Sequence, residues 1–87
     1  MNNFLVKVVI ENKPAARDPE GETILKDLLI KEGYGQVRLI RTAKLLKIWL
    51  KAENEINAKE IVSDLCENLR IYNPVAQVCT ITAEQER

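Results

Sequence analysis

The chain has 87 residues, of which thirteen are basic and thirteen acidic, and it contains no histidine. That describes one small neutral domain with no global pull towards phosphate backbones or anionic lipid. The missing histidine removes Ser-His-Asp and Cys-His nucleophile pairs, most zinc sites and the commonest general base.

Residues 4–10, FLVKVVI, alternate as a strand. Phe4, Val6, Val8 and Ile10 share one face, and Leu5, Lys7 and Val9 the other. A polar loop with Pro14 follows. The next stretch, RDPEGETILKDLL, reads as a helix start. Asp18 is placed to accept backbone N–H groups as an N-cap, and Pro19 stands at the first helical position, where its missing N–H costs nothing. Glu20 and Glu22 put negative charge at the positive end of the helix. Ile24, Leu25, Leu28 and Leu29 make an apolar stripe, and Gly33 is placed to stop the helix. A phosphate loop would want several glycines and a lysine followed by serine or threonine, whereas here one glycine stands between two glutamates. Gly21 has no part in capping, so close approach of another backbone is the expected reason for it.

GYGQ, residues 33–36, makes a turn, and VRLIRT, 37–42, is expected to be a strand. Ala43 and Lys44 are expected to turn the chain into a second strand over 45–52, giving an antiparallel hairpin. In that strand Leu46, Ile48 and Leu50 face one way, and Lys47, Trp49 and Lys51 face the other. Trp49 either lies under lysine stems or anchors an interface, and a small neutral chain favours the interface. Residues 57–69 form the second helix, capped by Asn57 with Glu60 as its reciprocal partner. Its stripe is Ala58, Ile61, Val62, Leu65, Cys66 and Leu69. RIYNP ends it, residues 75–81 form the last strand, and the polar tail frays. Cys66 and Cys79 read as buried thiols in a reducing compartment, with a disulfide as the alternative.

The order β-α-β-β-α-β makes an α+β two-layer sandwich, with two helices on one face of a mostly antiparallel sheet. A single domain, 1–87, is expected, with an ordered core over about 4–82 and a tail over 83–87. The far face of the sheet carries Leu5, Val9, Ile40 and Trp49 among basic residues, and such a face asks for a cover. The apolar runs are far shorter than the roughly 20 residues that cross a bilayer, and the N-terminus has no signal-peptide pattern. No membrane or nucleic-acid partner is expected, and the location is read as cytoplasmic.

The succession VKVVIENKPAARDPEG, GYGQVRLIRTAK, a helix with LCENL, and NPV resembles the PurS family across roughly residues 5–81. Asp18-Pro19-Glu20-Gly21, Gly33-Tyr34, Val37-Arg38, Lys44, Cys66 with Leu69, and Asn73-Pro74-Val75 carry the likeness in combination. Ala43-Lys44 stands where the family usually has Gly-Lys, and Ala76 to Cys79 depart from its usual acidic and aromatic run. PurS is the small subunit of phosphoribosylformylglycinamidine (FGAM) synthase, in purine biosynthesis. The resemblance implies a non-catalytic adaptor with no cofactor of its own. It would bridge PurQ, which releases ammonia from glutamine, and PurL, which uses ATP to consume it. The resemblance also implies a dimer or higher homo-oligomer. Arg41, Lys44, Trp49, Asn73 and Pro74 are the candidate interface or interface-shaping residues, and Asp18, Pro19 and Gly21 the structural helix start.

Three other readings compete. A small-ligand regulatory domain of ferredoxin-like topology has the same element order, but usually accompanies an enzyme in one chain. An RNA-binding domain needs several exposed aromatics and a basic face, of which Trp49 with Lys47 and Lys51 is a faint echo. An independent enzyme would have to use Asp18, Glu20 and Glu22, which capping and the helix dipole already explain.

Overall fold

The computed structural model describes residues 1–86. Three strands form one antiparallel sheet: β1 (Asn2–Asn12), β2 (Ala43–Ala52) and β3 (Gln77–Gln85), in the order β2-β1-β3. β1 is central because its alternation is the most apolar in the chain. It pairs with β2 from Asn2↔Ala52 to Glu11↔Ala43, and with β3 from Phe4↔Gln85 to Asn12↔Gln77. The helix α1 (Pro19–Thr23) runs on without a break as a π-helical stretch, Ile24–Ile30. The helix α2 (Glu55–Asn68) crosses one face of the sheet.

Phe4, Val6, Val8 and Ile10 are all buried, as their alternation predicts, beneath Ala58, Val62 and Cys66 of α2. Burying each larger aliphatic or aromatic side chain is worth about 1.5–3 kcal/mol. Leu46, Ile48 and Leu50 of β2 and Cys79, Ile81 and Ala83 of β3 border this core half-buried, because one helix cannot cover three strands. Within α2's stripe Leu65 is half-buried, while Ile61 and Leu69 are exposed.

The α+β class and the antiparallel sheet agree with the sequence, but the course of residues 37–42 differs. They run extended with no ladder partner, and Ala43 and Lys44 open β2 instead of turning the chain, so the expected hairpin does not form. Competing polar bonds hold 37–42 elsewhere: Thr42 is tied to Asp18, and Arg41 to the loop after β1. The α2 cap is Asn54, which accepts the N–H of Asn57 at 2.8 Å. Asn57 is the reciprocal partner, its side chain accepting the N–H of Glu53 at 3.1 Å. The last strand begins at Gln77, because 74–76 form a turn, and pairing with the long β1 carries it to Gln85. Residues 83–85 of the expected tail therefore belong to β3, and residue 87 lies outside the described residues.

Neither α1 nor its π-helical continuation contacts a strand, so residues 13–42 form an arm that stands off the end of the sheet. The described chain measures 52 × 31 × 14 Å, with a radius of gyration of 16.7 Å. A compact chain of this length would have roughly 12 Å.

Candidate interaction surface

The root of the arm is built around Asp18. Its carboxylate accepts the Gly21 N–H at 3.1 Å, the Thr42 hydroxyl at 2.9 Å and the Thr42 N–H. These donors, the Thr42 and Gly21 backbone groups first, hold its carboxyl below the usual aspartate range. One side chain thus caps α1 and clamps it to the start of β2. Gly21 abuts the backbone carbonyl of Ile40, so a Cβ there would overlap that oxygen. This is the close approach that its position implied. Gly33, with φ +93°, ends the helical arm as expected. Arg17 pairs with Glu22 at 2.6 Å across the outer side of the helix start; the bond holds Glu22 below its usual range and raises Arg17.

Arg41 braces the same junction. Its guanidinium donates to the carbonyls of Ala16 at 2.8 Å, Lys13 at 3.1 Å and Asn12 at 3.2 Å. These bonds give it a shaping place in the surface instead of leaving it free for contact. Lys44 is exposed opposite Ile10 on β2. Asn73 organises the turn into β3: its side chain accepts the Val75 N–H at 3.0 Å, and its N–H donates to Gln77 at 2.9 Å. Pro74 is exposed beside it. Gln77 is opposite Asn12, and the Lys13 N–H donates to the Ala76 carbonyl at 2.9 Å. Arg41, Lys44, Asn73 and Pro74 are therefore gathered at one end of the sheet. A cavity of about 450 Å³ opens there, lined by Glu11, Asn12, Pro14, Leu39, Arg41 and Val78.

Trp49 lies apart from these four, on the face away from α2. It is 59% exposed, opposite Leu5 and between Lys47 and Lys51. Lys7 on the same face reaches Glu84 at 3.7 Å. Sequence reading missed Thr42, Gln77, Leu39 and Val78, and the carbonyls that Arg41 grips. Carbonyls have no residue-type signature, and the other four become neighbours only through the fold. Among the described residues no group of three or more histidine, cysteine or acidic side chains is arranged to hold a metal ion, and no helix is long and apolar enough to cross a membrane. The two cysteines are free thiols, Cys66 buried and Cys79 half-buried, and burial pushes both thiols up.

The sequence profile described as PurS, phosphoribosylformylglycinamidine (FGAM) synthase, matches residues 5–85. The chain belongs to the PurS family. It is 35% identical to the PurS subunit of FGAM synthase from Archaeoglobus fulgidus, over 90% of this chain and 95% of that one. It is also 35% identical to the one from Methanocaldococcus jannaschii, over 94% and 96%. The crystal structure of M. jannaschii PurS superposes with a TM-score of 0.84 at 31% identity, covering 97% of this chain and 99% of that one. A chain of the PurLQS structure from Thermotoga maritima superposes with a TM-score of 0.81 at 30% identity, covering 99% and 100%. The PurS likeness thus extends through the arm as well as the sheet.

Proposed function

We propose that this chain is the non-catalytic adaptor of a three-part FGAM synthase in purine biosynthesis. It seats a PurQ-type glutaminase against a PurL-type ATP-dependent synthetase, so that ammonia passes from one to the other. The observation that carries this reading is the likeness, over the whole length of both chains, to a chain of the T. maritima PurLQS structure. Physical chemistry supports it. Ammonia is small and is lost by diffusion and protonation, and a docked arrangement raises its local concentration at the second site. A bridging subunit needs surfaces to touch, and this chain has an open sheet face bearing Trp49 and a projecting arm. The catalytic steps, the nucleotide and the glutamine then belong to the larger partners, and the chain itself carries no cofactor. The work is done in the cytoplasm.

The chain acts as a homo-oligomer, a reading that its elongated shape and uncovered apolar side chains support. Arg41, Lys44, Asn73 and Pro74 shape one docking end, and Trp49 anchors the open face.

Gel filtration of the chain with its matching PurL and PurQ, in the presence of glutamine, ATP and formylglycinamide ribonucleotide, tests the adaptor role. A single large species containing all three proteins is expected. Separate elution of the three contradicts the role.

A further inference from the structure

Cys66 and Cys79 take no part in the surfaces described above. Cys66 lies in the last turn of α2, 1% exposed, in the core with Val62. Cys79 is on β3, directly opposite Ile10 of β1. Residues opposite each other in an antiparallel pair share one face of the sheet, and Ile10 is buried on the α2 side. The Cys79 side chain is therefore turned under α2. It packs against the cluster that contains Cys66, yet stays half-buried. The two thiols are within hydrogen-bond reach of each other.

Between these thiols runs the whole turn from α2 into β3. On its first side the Cys66 carbonyl accepts the Ile71 N–H at 3.0 Å, just after Arg70 at φ 51°. On its second side the Asn73 carbonyl accepts the Gln77 N–H at 2.7 Å, and the Gln77 side chain accepts the Asn73 N–H at 2.9 Å. Leu69 and Val75 are 71% and 82% exposed, so the turn is held mainly by backbone bonds at the surface. Segments of that kind open locally with little loss of free energy. Opening admits an oxidant to Cys66, and Cys79 is already half-open. Burial pushes both thiols up, and the charge and hydrogen bond of Cys79 raise Cys66 further. Both therefore rest as thiols in a reducing compartment and oxidise slowly.

We infer that Cys66 and Cys79 are a latent redox pair, which hydrogen peroxide converts into a disulfide that locks the turn between α2 and β3. Cys79, the more exposed thiol, reacts first. Its sulfur attacks one peroxide oxygen; the S–O bond forms, the O–O bond breaks, and the departing hydroxide takes the thiol proton as water. The Cys66 sulfur then attacks the sulfenic sulfur of Cys79. The S–S bond forms, the S–O bond breaks, and the Cys66 proton leaves with the second hydroxide as water. Two thiols and one peroxide thus become one disulfide and two waters, sulfur being oxidised and peroxide oxygen reduced. A dithiol reductant reverses the bond by exchange. The cross-link closes a loop over residues 66–79 that carries Arg70, Asn73 and Pro74, and it removes freedom from the open states of that loop. The bond depends on the two thiols alone; that the turn it stiffens is a docking end rests on the adaptor reading.

The test treats the purified chain with hydrogen peroxide, then with dithiothreitol, beside a Cys79→Ala variant whose folding is checked by far-UV circular dichroism. That variant keeps Met1 and so controls for oxidation elsewhere. Non-reducing peptide mass spectrometry locates the cross-link, and hydrogen exchange follows the amides of residues 69–76. In the wild type both free thiols should be lost to a Cys66–Cys79 bond within one chain, restored by dithiothreitol. In the oxidised form the amides of the turn should exchange at least roughly tenfold more slowly. Cys79→Ala should form no cross-link, and peroxide should leave its exchange unchanged. Oxidation that stops at sulfur acids, or that joins separate chains instead, overturns the redox pair. A Cys66–Cys79 bond that leaves exchange in 69–76 unchanged overturns the lock. None of these outcomes touches the adaptor reading, which the three-protein gel filtration tests by itself.

Discussion

Asp18 joins two parts of the chain that are distant in sequence. A carboxylate that only capped α1 would add to one helix end, whereas this one also holds Thr42 and so fixes where the arm leaves the sheet. Its donors bind the charged form, and its folded pKa is depressed below the ordinary value of about 3.9. The stabilisation is therefore complete above about pH 4 and is lost as pH falls from there through the depressed folded value. The urea midpoint of the wild type should fall over that acid range. Asp18→Ala should have a lower midpoint at neutral pH and a flatter acid limb, as urea titrations at successive pH values would show. Equal acid limbs in the two proteins would mean that Asp18 is not the clamp. Gly21 belongs to the same junction, because its lack of a side chain lets α1 sit against the Ile40 carbonyl.

At the level of elements, most of the fold was legible because local pattern and tertiary packing agree. The alternation of Phe4, Val6, Val8 and Ile10 named the buried face of β1, and the spacing of Ala58, Val62 and Cys66 named that of α2. The Asp18 cap, Pro19 at the first helical position and Gly33 at the end of the arm's helix were readable in the same way, because each depends on residues close in sequence. The hairpin over 37–52 was misread for the converse reason. Alternation reports that a segment is extended, not which strand it pairs with, and long-range bonds from Asp18 and Arg41 settled its course. The end of α2 was also hidden. Arg70 takes φ 51°, a conformation usually left to glycine, while the Ile71 N–H donates to the Cys66 carbonyl at 3.0 Å and the Arg70 N–H to that of Glu67 at 3.3 Å. At the other end the chain offers Asn54 and Asn57, and the structure gives them separate tasks. Asn54→Ala should cost about 1 kcal/mol of stability. Asn57→Ala, which removes only the returning bond, should cost less, and chemical denaturation of both variants would rank them. The reverse ranking would restore Asn57 as the principal cap.

Taken whole, the protomer combines a thin core with a large exposed surface. Among the described residues the buried apolar set is eight, and bulky side chains such as Leu28, Leu39, Leu45 and Trp49 are left more than half exposed. Such a surface leaves apolar side chains for neighbours to cover, which suits a subunit of a larger complex. Its candidate contacts divide between the docking end around Arg41 and the open face around Trp49. Sequence could nominate these residues by type, but only the fold shows that four of them gather and the fifth stands apart. The central claim, that the chain enables ammonia transfer without performing chemistry, is tested most directly by measuring glutamine-dependent FGAM formation by PurL and PurQ with and without it. Omitting the chain should lower that rate by roughly tenfold or more, leave the rate with added ammonia unchanged, and leave the chain alone inactive. Equal glutamine-dependent rates in its presence and absence, or turnover by the purified chain, would contradict the account.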